Sequence, residues 1–130
     1  MIRPTLALAV LFAVSALSAG CGAQAQTAAS GDVTVELVTS PARPAAMRPA
    51  TLHLRFSTPG ASAAVRGLTV QARMPEMEHL ARAVAFRPVG PGRFEALHVF
   101  SMDGTWELQV RALVQEEVVT TRLIVRVGPE

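Results

Sequence analysis

From residue 32 onward, apolar and polar side chains alternate with a period of two, and no stretch keeps the 3.6-residue spacing of an amphipathic helix. The cleanest run is 106–114, where Trp106, Leu108, Val110, Ala112 and Val114 alternate with Glu107, Gln109 and Arg111. Successive side chains of a strand point to opposite faces, so such a run offers one face to a core and one to water. Residues 32–38 set Val33, Val35 and Leu37 against Thr34 and Glu36, and 50–57 set Leu52, Leu54 and Phe56 against His53 and Arg55. Residues 68–74 place Leu68, Val70, Ala72 and Met74 on one face. A short segment follows at 82–87, and 93–100 has apolar residues on both faces, with Phe94, Ala96 and Phe100 the stronger inner set. The last, 118–127, sets Val119, Leu123, Val125 and Val127 against Thr120, Arg122 and Arg126.

Thr58-Pro59-Gly60, Gly90-Pro91-Gly92 and Asp103-Gly104 separate these segments and supply the fixed or positive φ that chain reversal requires. About seven short antiparallel strands with such turns predict an all-β, immunoglobulin-like sandwich. The length of 130 residues admits one such domain, expected over 32–127.

The N-terminus breaks the alternation. Met1-Ile2-Arg3 forms a short basic head, and residues 6–17 are apolar, a run shorter than the roughly 20 residues a membrane-spanning helix needs. Residues 1–20 therefore read as a signal peptide. Ser18-Ala19-Gly20 directly precede Cys21, the only cysteine, and this spelling resembles a bacterial lipobox, although Leu17 stands one position early. The resemblance implies cleavage before Cys21, acylation of its sulfur and an anchor on the extracytoplasmic side of the membrane, a lipoprotein of the cell envelope. The competing reading is an ordinary secretory signal cut after Ala25. Residues 21–31 are small and polar, too poor in apolar surface to order themselves, and are expected to be a flexible tether.

Charge narrows the partners. The formal net charge of +2 comes from twelve Arg and no Lys set against ten acids spread along the chain. That is no nucleic-acid footprint. No nucleophile elbow, phosphate loop or paired metal motif occurs, so no enzymatic activity is expected.

Strand parity adds a less obvious pattern. In an antiparallel sandwich alternate connections share an end, which sends Met47, Met74, Met77 and Met102, and all three histidines, toward one pole. Thioether and imidazole donors are soft to borderline and favour Cu(I). Met74, Met77, His79 and Met102 are the candidate ligands. The same methionines also read as filler of irregular apolar gaps, with Met74 on the inward face of its strand.

Two blocks, Met74-Pro75-Glu76-Met77-Glu78-His79 and Phe100-Ser101-Met102-Asp103-Gly104-Thr105-Trp106, joined by Gly90-Pro91-Gly92-Arg93-Phe94, resemble the YtkA-like family, relatives of FixH-type envelope domains. Phe94 stands where that family often has Tyr. The resemblance implies an immunoglobulin-like sandwich outside the cytoplasmic membrane, linked to copper handling or to assembly of respiratory oxidases. The expectation is thus a membrane-anchored lipoprotein that binds Cu(I) at its Met/His pole. The alternative is a metal-free module that docks an envelope protein through the same loops.

Overall fold

The computed structural model describes residues 24–130, apart from the side chains of residues 24, 25, 30 and 78–80. The expected signal peptide and Cys21 lie outside the described residues. Ten strands follow in order: β1 (Gln24–Ser30), β2 (Val33–Ser40), β3 (Pro49–Thr58), β4 (Ala61–Ser62), β5 (Val65–Met74), β6 (Met77–Ala83), β7 (Arg87–Gly90), β8 (Arg93–Val99), β9 (Gly104–Val114) and β10 (Glu117–Val127).

They form two antiparallel sheets. One has the order β1-β2-β3-β8-β7, with β4 on β3, and the other β10-β9-β5-β6. The sequence of neighbours is that of an immunoglobulin sandwich, as the alternation predicted. Inward residues of both sheets meet in one core, in which Val35, Leu37, Leu52, Leu54 and Phe56 face Leu108, Val110, Val114 and Leu123. Trp106 is buried among them.

Three departures from the sequence reading matter. Residues 24–30, expected to belong to a tether, form a strand instead: Gln24–Ser30 pairs residue for residue with β2, and Gln26 accepts a hydrogen bond from the Ile124 amide of β10. Main-chain pairing supplies the stabilisation that its small side chains lack, and of its described side chains only Ala28 packs on the core. The strand expected at 82–87 is displaced to Met77–Ala83, since Pro75 and Glu76 alone make the reversal. Strand β5 starts earlier than expected, at Val65, through a register shift between Arg66 and Thr69 where Gly67 takes a positive φ of 60°.

Both ends of the sandwich follow the predicted parity. One end carries the connections 41–48, 75–76 and 100–103, and the other the turns at 31–32, 59–60, 91–92 and 115–116. Strand β7 covers only the first part of β8, pairing Arg87 with Glu95 and Gly90 with Arg93. From Ala96 to Val99, β8 is paired on its β3 side. Among the described residues its other edge there has no strand partner.

Candidate functional site

At the end that carries residues 41–48, two structures face each other: the β5–β6 hairpin and the loop between β8 and β9. Pro75 pre-sets φ at the first turn position, which lets a two-residue turn close so that Met74 and Met77 sit directly opposite one another. Side chains in such a pair start roughly 5 Å apart. Both are half-buried. The Met74 methyl lies over the backbone of Gly104, where a Cβ would stand 2.6 Å from Cε, and Gly104 also has a φ of 130°. Glycine is required there on both counts. Met74, Pro75 and Glu76 with Asp103, Gly104 and Thr105 line an open cleft of about 410 Å³. Met77 and Met102 are not part of its lining. Glu76 shares this cleft with Asp103.

The loop that bears Met102 is held from below by aromatic packing. The Trp106 indole Nε1–H donates to the Met102 carbonyl at 3.0 Å. Phe100 packs on Trp106 at 5.4 Å between ring centroids, and His98 meets Phe100 edge-on at 4.8 Å. A buried indole finds a polar partner for its N–H, and here that partner fixes the loop. The Met47 amide donates to the Phe100 carbonyl at 2.7 Å, so the fourth methionine of the described residues joins the same end. Met47 adopts a left-handed φ of 63°, uncommon for a residue with a Cβ.

The histidines diverge. His98 is half-buried, and its pKa lies below the usual 6.5, first because burial disfavours the charged ring and second because the Arg82 guanidinium repels it. Its imidazole is therefore neutral near pH 7. His53 sits on the outward face of β3, 3.7 Å from Glu95. The His79 side chain lies outside the described residues. Its backbone belongs to β6, two residues beyond Met77.

Of the candidate ligands, the structure thus brings Met74 and Met77 together across a turn and sets the Met102 loop beside them through Gly104. Met47 and Asp103 complete the neighbourhood. Neither was among the candidate ligands, although parity had sent Met47 to this end. Among the described residues no three His, Cys, Asp or Glu side chains group as metal ligands; the thioethers of Met74, Met77 and Met102 are soft donors.

Strand order and pole together define an immunoglobulin-like domain whose chemistry-bearing residues lie on connections at one end. The profile of the YtkA-like family matches residues 27–111, and the chain belongs to that family. Membership points to an extracytoplasmic envelope domain. The match begins inside β1, in accord with that strand being part of the domain. A DUF4426 family protein from Pseudomonas aeruginosa PAO1 is similar in structure, with a TM-score of 0.62 and 13% identity over 82% of this chain and 96% of that one. A DUF4785 family protein from Legionella pneumophila subsp. pneumophila str. Philadelphia 1 has a TM-score of 0.58 and 8% identity, over 75% of this chain and 29% of that one. These two likenesses are of fold. No curated protein matches the chain.

Proposed function

We propose that this protein is a lipid-anchored envelope domain that binds Cu(I) at its methionine pole and serves copper handling or oxidase assembly without catalysing a reaction. The observation that carries the reading is the convergence of Met74, Met77 and Met102 on one end, with Met74 laid over Gly104 of the loop that holds Met102. Thioethers are soft donors that have no proton to lose near neutrality and form no disulfides, which suits Cu(I) in an oxidising compartment. Met74, Met77, His79 and Met102 would hold the ion, and the Phe100–Trp106 pair would hold the loop from which Met102 reaches it.

The test is anaerobic competition for Cu(I) against a chromogenic chelator, using residues 24–130. One-to-one binding that is lost in Met77→Ala/His79→Ala is the expected result. Equal, weak binding by both proteins refutes the reading. A metal-free docking module is the second reading, favoured by the exposure of Leu97 and Val99 beside the same pole. Under it the domain associates with an envelope protein through this end in the absence of copper.

A further inference from the structure

The direction of β1 decides how the domain would stand on a membrane. Gln24 lies opposite Thr39 and Ser30 opposite Val33. Strand β2 ends at Ser40, where the connection across the methionine pole begins, so Gln24 is at the pole and Ser30 at the far end. The chain enters the domain at the same end that gathers the methionines.

Distance then restricts orientation. Only Gly22 and Ala23 separate Cys21 from Gln24, and three residue steps reach at most about 11 Å. Strand β9, with 11 residues, runs from pole to far end over about 34 Å. A free tether through residue 31 would have reached about 36 Å and allowed any orientation. With β1 docked, an anchor at Cys21 keeps the pole near the bilayer and leaves the far end out of reach.

A second, independent observation lies on the surface of that pole. Leu97 is 73% exposed, Met47 58%, Val99 47% and Met102 38%. Leu97 and Val99 project from the outward face of β8 beside Thr51 and Pro49 of β3, and Met47 is tied to Phe100 at the same end. Large apolar side chains exposed together mark an interaction surface. Strand β1, the flank next to the anchor, offers only Gln, Thr, Ser and Ala and gives lipid nothing comparable.

We infer that the lipid anchor holds the domain pole-down, with the rim of Met47, Leu97, Val99 and Met102 seated at the headgroup boundary of the bilayer. The inference rests on the reading of Cys21 as acylated. A buried apolar rim is the second membrane signal that makes lipid anchoring firm. Cu(I) or any other cargo of the pole would then exchange with groups at or in the membrane, and the far-end turns would face the aqueous compartment.

The test uses the full processed lipoprotein in vesicles of phosphatidylethanolamine and phosphatidylglycerol. Single cysteines at Leu97→Cys and Val99→Cys, and at Ser62→Cys and Gln115→Cys on the far end, carry an environment-sensitive fluorophore, and brominated lipid serves as quencher. Labels at 97 and 99 are expected to lose most of their emission, and labels at 62 and 115 to keep theirs. A flexible ten-residue Gly/Ser insertion between Ala23 and Gln24 should restore much of the emission at 97 and 99. The mass of the N-terminal peptide reads acylation separately. An unmodified Cys21 overturns the anchor and the orientation together, whereas an acylated Cys21 with equal quenching at both ends overturns the orientation alone. Labels at 97 and 99 that are unquenched by lipid yet shielded in native membranes would give the rim to a protein partner and also overturn it.

Discussion

The two ends of the sandwich solve the same problem, reversing a strand, with a different balance of means: the pole shares the short turn, at Pro75 and Glu76, but adds two longer connections. At the far end the reversals take two residues each, and left-handed conformations do the work: Gly31, Gly60, Gly92, Gln115 and Glu116 all have positive φ. Gly92 is pressed against the Phe56 and Ala63 carbonyls, where a Cβ would approach within 2.7 and 2.8 Å. At the pole, by contrast, the connection 41–48 is long and the loop 100–103 irregular, and both rest on buried Phe100 and Trp106. One end spends its residues on closing the chain, and the other on holding exposed side chains over a rigid aromatic floor. That division is how small sandwiches carry function on loops without loss of fold.

If the aromatic floor supports the pole, its removal should be the most damaging change. Trp106→Ala is expected to cost about 3–5 kcal/mol in urea unfolding. Trp106→Phe, which keeps much of the packing but loses the N–H to the Met102 carbonyl, should stay folded and weaken Cu(I) retention in the chelator competition. At the far end Gly92→Ala tests closure instead. A left-handed alanine costs about 1–2 kcal/mol before any contact with Phe56 and Ala63 is counted, and unfolding should show at least this loss, with the copper binding proposed for the pole unchanged in the folded fraction.

A pH titration separates the ends further. The folded-state pKa of His98 is lowered, so the folded protein holds fewer protons than the unfolded chain between that pKa and about 6.5. Stability attached to His98 is thus complete above pH about 6.5 and falls as pH drops through that window. His98→Gln should flatten this limb of a denaturation series. The smallest effect belongs to the far-end hairpin, where Gln115 and Glu116 occupy a turn that favours Asn-Gly. Gln115→Asn with Glu116→Gly should stabilise by about 1 kcal/mol or less, since the Arg66–Glu116 pair it removes is fully at the surface.

How much of this could be read beforehand depends on which force orders each segment. Strands β2, β3, β9 and β10 bury alternate apolar side chains, so their alternation announces them, although Glu107 of β9, expected to face water, is buried too beside Arg73 and Arg122. Strand β1 is ordered by main-chain hydrogen bonds, which leave no trace in the hydropathy of Gln, Ala, Thr and Ser. Strand β6 lies at a sheet edge and is paired on one side only, so its pattern is weak and its start was placed too late. At the pole, parity sent Met74, Met77 and Met102 to one end, but the direct pairing of Met74 with Met77 was not read from the sequence, and the passage of Met74 over Gly104 depends on a backbone contact that no spacing encodes. The left-handed Met47 is equally silent in sequence, because nothing local favours it.

The bare edge of β8 has one further consequence. Among the described residues Ala96 to Val99 pair with β3 and face no strand beyond β7, and Leu97 and Val99 expose their side chains there. An apolar edge without a lysine, a proline or a covering helix is a template for strand addition by other chains. Concentrated in solution, residues 24–130 should be prone to edge-to-edge aggregation starting at this segment. A charge introduced at Leu97 should keep it monomeric in light scattering.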